Sequence, residues 1–143
     1  MTDNDKDFGL EISERSVKAF DAGSYVEAFF FQAEVFESSI PIMIAGRARH
    51  LGMSNTKVRK LAYKGTLEKK IDILIKLCGD DFSDLCTNLH EYRDRRNRLI
   101  HRKNTFKDED EMNDFARDTW LIGTIILSNF VGSISGIPDN LKE

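Results

Sequence analysis

Residues 92–102 contain the side chains best suited to chemistry on a phosphate group, which are Arg96, Asn97 and His101. An arginine keeps its charge and grips phosphate oxygens through a planar fork, whereas a histidine exchanges protons near neutral pH. On a helix Asn97 and His101, four residues apart, share one face. Arg96 and His101 are five apart, and their side chains diverge by about 140° on an ideal helix. We therefore expect an anion clamp and a proton carrier near one helix end.

Arg96 stands where the helical pattern calls for a core residue. Positions 82, 85, 89, 92, 96 and 99 recur at steps of three and four, and all except Arg96 suit a core. A buried arginine needs a partner, so Arg96 meets a carboxylate, reaches an edge or faces an anion-binding cleft. Glu37 is the equivalent misfit in the stripe of an earlier helix, at positions 26, 30, 33, 37, 40 and 44. We predict that Glu37 pairs with Arg96, and that Tyr92, one turn earlier, supports the pair.

The segment Arg96-Asn97-x3-His101 resembles the Arg-x4-6-His motif of the HEPN superfamily (higher eukaryote and prokaryote nucleotide-binding). The layout of 64–103 is also similar, with one helix, a short break near Gly79 and a second helix that ends in the motif. The resemblance covers about 24–134. It implies an all-α bundle, usually dimeric. Many members are metal-independent endoribonucleases in which arginine and histidine form the active-site pair, and others only bind.

In this interpretation His101 is the general acid or base, Arg96 holds the phosphate oxygens and Asn97 orients the imidazole or the phosphate. Arg95 also fits the motif with one more intervening residue, but Arg96 precedes the asparagine and lies on the inward stripe. No metal or cofactor is required, because the attacking 2′-hydroxyl belongs to the RNA. A metal site on the face shared by His90, Asp94, Asn97 and His101 is an alternative, although this spacing is a weak signal. The cations expected to position the RNA backbone are Arg93, Arg95, Arg98, Arg102 and Lys103.

The charges are unevenly distributed along an acidic chain of 143 residues with a net charge of −3. No acid occurs between Glu37 and Glu68, whereas six lysines and arginines lie in 47–64. Residues 93–103 hold six cations and one acid. Basic patches of this kind bind phosphate backbones, but a solvated helix face is the simpler interpretation of 47–64.

Two features bear on the compartment. Cys78 and Cys86 have no metal-ligand spacing, and no signal peptide is evident, so we predict reduced thiols in a cytoplasmic protein. Residues 119–138 carry no charge over twenty positions, about the length that spans a bilayer. Because glycine, serine and asparagine lower the hydrophobicity of this segment, we predict a buried bundle helix and no membrane association.

The fold predicted for 1–143 is a single all-α domain, an antiparallel bundle of about five helices that is HEPN-like. The predicted helices cover 10–22, 24–50, 66–77, 81–101 and 108–134, and Pro41 kinks or splits the second. Residues 52–64 are expected to form a polar connector with a short helical turn. Residues 1–8 are predicted to be disordered, and 135–143 to be a flexible tail.

The leading functional hypothesis is a homodimeric, metal-independent endoribonuclease that cleaves RNA by 2′-hydroxyl transesterification. It would be the toxin of a toxin–antitoxin or phage-defence system, paired by family analogy with a nucleotidyltransferase-like antitoxin. The main alternative is a non-catalytic HEPN-like module that binds RNA or nucleotides, or serves as a protein-interaction scaffold. A third is a helical adaptor that binds no nucleic acid.

Overall fold

The computed structural model describes the backbone of residues 3–136 and the side chains of 11–129. Within these residues the chain is helical and contains no strand, which confirms the predicted all-α bundle. Two 3₁₀ turns, at Gly79–Phe82 and Lys103–Thr105, precede and follow the fifth helix. The α-helices are α1 (Asp3–Asp21), α2 (Tyr25–His50), α3 (Asn55–Tyr63), α4 (Leu67–Cys78), α5 (Ser83–His101) and α6 (Glu109–Gly136). The helix beyond the five expected is α3, which occupies the predicted connector.

Helix α2 forms the centre of the bundle. Helices α1, α3, α4 and α6 pack around α2, and α5 packs between α4 and α6. The ring of Tyr92 on α5 bridges to the centre by stacking on Phe36 of α2 at 4.3 Å between centroids. Among the described helices, α2 alone is long and apolar enough to cross a membrane, and 56% of its most apolar window is buried. Such burial is what a central core helix requires.

Several helix boundaries differ from those predicted. Helix α1 begins at Asp3 rather than at Leu10. Residues 3–8, which were predicted to be disordered, therefore belong to this helix. Helix α2 runs unbroken through Pro41, which overturns the predicted split. Most of the predicted flexible tail, 137–143, lies outside the described residues, and 135–136 belong to α6. Thr66 caps α4 by accepting a hydrogen bond from the Lys69 backbone N–H at 3.2 Å.

Buried polar contacts join α1, α2 and α6. The Trp120 indole donates to the Ser16 hydroxyl at 2.8 Å, and that hydroxyl donates to the Ala28 carbonyl at 2.7 Å. The Gln32 amide donates to the Trp120 carbonyl at 2.9 Å. Gly123 lies so close to the Gln32 amide that a Cβ there would overlap it. This close approach fixes the distance between α2 and α6.

Candidate functional site

The position of α5 decides where each motif side chain points. Leu89, Tyr92 and Leu99 form its buried face, and the Tyr92 ring stacks on Phe36 of α2. The hydrogen bond between Asn97 of α5 and Glu68 in the first turn of α4 shows that these helices run antiparallel. The carboxyl end of α5 therefore lies at the same end of the bundle as the beginning of α4.

Arg96 lies beside Glu37, as predicted, but the pair is at the rim of the bundle. The Arg96 Nη2 atom is 4.0 Å from Glu37 Oε1, and the side chains are 14% and 56% exposed respectively. The Nε atom of Arg96 is buried and has no hydrogen-bond partner among the described residues. Arg96 is thus a largely buried cation. Its only carboxylate partner among the described side chains, Glu37, lies at the limit of ion-pair distance and is exposed to solvent.

Tyr92, one helical turn before Arg96 on α5, lies deeper in the bundle than this cation. Its side chain is fully buried, and its hydroxyl has no hydrogen-bond partner within the described part of the chain. Burial raises the pKa of Tyr92; the nearby Arg96 charge opposes this rise and the Glu37 charge adds to it. The hydroxyl, the guanidinium and the carboxylate therefore lie close together between α2 and α5.

Asn97 has a partner to which the sequence patterns did not point. Its Nδ2 atom donates to Glu68 Oε1 at 3.0 Å, while its Oδ1 atom is buried and unpaired in the described structure. The amide is thus held against α4, and no hydrogen bond to His101 is present among the described residues. Only the place of Glu68 in the first turn of the helix antiparallel to α5 could have indicated this contact.

His101 is the last residue of α5, and its side chain is exposed. Among the described side chains it makes no hydrogen bond or ion pair, so its imidazole is open to a substrate or a second copy. Arg96 points towards α2, whereas His101 shares the α5 face of Asn97, which contacts α4. One chain therefore places the two key residues on different sides of α5, as the five-residue spacing predicted.

Arg93, predicted to bind substrate, is instead held by carboxylates. Its guanidinium forms ion pairs with Asp72 of α4 and with its neighbour Asp94. The hydrogen bond to Asp72 is the main reason why the pKa of Arg93 is raised. Arg93 therefore joins α4 to α5, and its role in binding the RNA backbone stays a prediction.

Arg95 and Arg98 are likewise engaged on the α6 side. The Arg95 guanidinium lies 4.3 Å from the centre of the Phe115 ring. Arg98 donates to the Thr105 hydroxyl at 2.9 Å, approaches Glu111 at 3.5 Å and covers the Phe106 ring at 4.0 Å. The reason is positional, because α5 is packed between α4 and α6 and both its flanks meet protein. Both guanidinium groups are thus engaged within the bundle, and their predicted contact with a substrate stays a prediction.

Arg102 and Lys103 are the predicted substrate-binding cations that remain exposed. Among the described residues the Arg102 side chain makes no hydrogen bond or ion pair. The Lys103 Nζ atom lies 5.6 Å from the centre of the Phe30 ring on α2. Together with His101 they form the α5 tip, defined as residues 101–103, which is basic and open to solvent.

Among the described side chains, neither a cluster of metal ligands nor a cysteine belongs to this tip. Among the described side chains, no three histidine, cysteine or acidic residues come together as a metal site would require. Cys78 and Cys86 are free, and burial raises the pKa of both thiols. The alternative metal face at 90–101 thus gains no support from the described structure.

Comparison with known proteins returned nothing: no family model, curated protein or solved structure matches this chain. The likeness to the HEPN superfamily therefore remains a prediction from the motif and its helical context.

Proposed function

We propose that this protein is a metal-independent endoribonuclease of HEPN type that acts as a homodimer. The observation that carries the proposal is the contrast at the end of α5. Arg96 is a largely buried cation with an incomplete ion pair, and His101 is an exposed imidazole without a partner among the described side chains. A fixed cation and a free proton carrier are what phosphoryl transfer without a metal requires.

The reaction is an internal transesterification. The 2′-oxygen of a ribose forms a bond to the adjacent phosphorus, and the bond from phosphorus to the 5′-oxygen breaks. One imidazole removes the 2′-hydroxyl proton, and a second imidazole supplies a proton to the leaving 5′-oxygen. Arg96 stabilises the charge that grows on the non-bridging oxygens. The products carry a 2′,3′-cyclic phosphate and a 5′-hydroxyl group.

A dimer reconciles this chemistry with the geometry of one chain. Arg96 and His101 lie on different sides of α5, so the carboxyl ends of two α5 helices related by a twofold axis would supply both residue types to one groove. In a cell such an enzyme would be a cytoplasmic toxin or phage-defence component, restrained by a partner such as a nucleotidyltransferase-like antitoxin. The partner is proposed by family analogy alone.

The second candidate is a non-catalytic RNA-binding or scaffold module. It is favoured by the engagement of Arg93, Arg95 and Arg98 in contacts within the bundle, which leaves fewer cations for a substrate. In that case Arg96 and Glu37 only help to hold α2 and α5 together.

The decisive experiment compares RNA cleavage by wild type, His101→Ala and His90→Ala in the presence of EDTA. His90 is an exposed histidine on the same helix, which makes it a matched control. We expect wild type and His90→Ala to cut equally, and His101→Ala to be slower by roughly 10²–10⁴-fold, the usual contribution of a general acid or base. If a folded wild-type protein leaves RNA intact, or if His101→Ala cuts as fast, the scaffold interpretation replaces the enzymatic one.

A further inference from the structure

Helix α3 has an outer face with no compensating acid. No aspartate or glutamate occurs between Glu37 and Glu68. None of the cations on this face joins an ion pair among the described side chains. Arg47, in the preceding helix, differs because Asp81 pairs with it at 2.8 Å. The exposed cations on and just after α3 are Lys57, Arg59, Lys60 and Lys64.

An exposed aromatic ring lies among these cations. Tyr63 is 60% exposed. It follows Arg59 by four residues and Lys60 by three, and residues at these spacings are neighbours on a helix surface. The buried side chains of Val58 and Ala62 fix the rotation of α3, so this face is directed to solvent. Folding gains little from a tyrosine exposed to this extent, which leaves its ring available to a ligand.

The α3 face lies at the end of the bundle where α5 ends. Tyr63 is the last residue of α3, and a three-residue connection leads to α4. Glu68, in the first turn of α4, accepts the hydrogen bond from Asn97, one helical turn before His101. A ligand that leaves the tyrosine end of α3 therefore meets the end of the bundle that carries the α5 tip.

We propose that the outer face of α3 binds single-stranded RNA and directs it towards the α5 tip. Tyr63 stacks on a base, and Arg59, Lys60 and Lys64 bind the phosphates on either side. The combination of a basic surface with an exposed aromatic ring is the usual means of holding single strands without reading their sequence. The inference takes RNA as the ligand from the proposed function. An acidic protein would satisfy the cations but would leave the aromatic ring without a role.

The test measures binding in the absence of cleavage. His101→Ala protein in EDTA is titrated into a fluorescently labelled twelve-nucleotide oligouridine, and anisotropy reports the dissociation constant at several salt concentrations. We expect added Tyr63→Ala to weaken binding roughly 5- to 150-fold, the range found for loss of base stacking, and Tyr63→Phe to bind like its parent. Arg59→Gln with Lys60→Gln should reduce the salt slope by about 1.4, since each phosphate contact on a single strand contributes about 0.7.

Lys18→Gln with Lys76→Gln is the control, because these exposed lysines on α1 and α4 carry the same charge change away from α3. Equal loss of binding in this control, or no effect of Tyr63→Ala, would overturn the proposal. The proposal would also be overturned if the parent protein did not bind oligouridine and instead bound an acidic peptide through α3. If the parent binds through Tyr63 but wild type never cuts RNA, the proposed function fails and the α3 surface stands. If wild type cuts RNA and Tyr63→Ala cuts it equally well, the proposed function stands and the α3 surface fails.

Discussion

At the scale of single residues, the Arg96–Glu37 pair decides how α5 is anchored to α2. The stripe pattern alone suggested an interior ion pair, for which loss of one partner costs about 3–5 kcal/mol. The structure instead has a separation of 4.0 Å and a glutamate that is 56% exposed. Solvent screens such a pair, and exposed ion pairs contribute about 0–1 kcal/mol.

We therefore predict that Glu37→Gln lowers the free energy of unfolding by less than about 1 kcal/mol. Urea denaturation monitored by circular dichroism measures this directly. Glu34→Gln, an exposed glutamate one turn earlier on α2, is a suitable control for the loss of a surface charge. A loss of several kcal/mol that is specific to Glu37→Gln would mean that the pair closes into the interior in solution.

Cys78 should make the stability depend on pH in the alkaline range. Burial raises the pKa of this thiol from 9.0 to about 11, with nearby Cys86 adding to the effect. The folded state thus holds the proton more tightly than the unfolded state, so the stabilisation is complete below pH 9.0 and is lost as pH rises towards about 11. We expect wild type to lose at most about 2–3 kcal/mol through this group.

The measurement is denaturant unfolding of wild type and Cys78→Ala at roughly pH 7.5, 9 and 10.5, values that cover most of the range over which the stabilisation is lost. Lysines and tyrosines titrate in both proteins, so the difference between the two curves isolates the thiol. Cys78→Ala should start less stable because it leaves a small cavity, and its stability should fall less steeply with pH. Parallel curves would show that the pKa of the thiol is the same in the folded and unfolded states.

At the scale of helices, two glycines with different surroundings test how much room each position leaves for a side chain. Gly123 of α6 faces the buried Gln32 amide, and a Cβ there would overlap it. We predict that Gly123→Ala destabilises the fold by about 1–3 kcal/mol, the usual cost of overpacking. Gly46 of α2 is exposed with open space around it, so Gly46→Ala should instead stabilise the helix by roughly 0.5–1 kcal/mol.

Thermal melts of both variants check these two signs. An unchanged or higher melting temperature for Gly123→Ala would indicate that the Gln32 side chain moves away at little cost. The hydrogen bond from Gln32 to the Trp120 carbonyl makes such a movement unfavourable, because it would leave buried polar groups unpaired.

At the scale of the whole molecule, the exposed apolar side chains limit where a twofold axis can pass. Leu121 and Ile125 of α6 are exposed apolar side chains of the kind that a dimer interface buries. However, Arg98 approaches Glu111, so Ile125, fourteen residues further along α6, lies about 21 Å along the helix axis from that level. A dimer formed there would keep the α5 tips apart.

Phe30 is better placed for a dimer that joins two α5 tips. It is 39% exposed, and the Lys103 ammonium group lies 5.6 Å from the centre of its ring. We predict that Phe30→Glu converts the protein to a monomer and removes RNA cleavage, because each groove then lacks the second copy. Ile125→Glu, a control of matched charge on another face, should remain dimeric and active.

Light scattering coupled to size-exclusion chromatography gives the mass of each variant at micromolar concentration, and the cleavage assay gives its activity. A wild-type monomer that cuts RNA would contradict the twofold site. Loss of the dimer in Ile125→Glu and not in Phe30→Glu would move the interface to α6.

The sequence by itself determined five of the six described α-helices and much of the core, since helical periodicity and end signals are local properties. It also paired Arg96 with Glu37, because each was the charged misfit in an otherwise apolar stripe. The start of α1 and the continuity of α2 through Pro41 were missed. Pro41 is buried, and packing of α2 against neighbouring helices outweighs the local preference there.

Only the tertiary structure decided which cations remain available. Arg93, Arg98 and Arg102 belong to one basic run and cannot be told apart by residue type or spacing. In the folded chain Arg93 pairs with Asp72 of α4, and Arg98 approaches Glu111 of α6. Arg102 remains exposed at the end of α5. The physical reason is that an arginine's availability depends on carboxylates and rings distant in the chain, which only packing brings near.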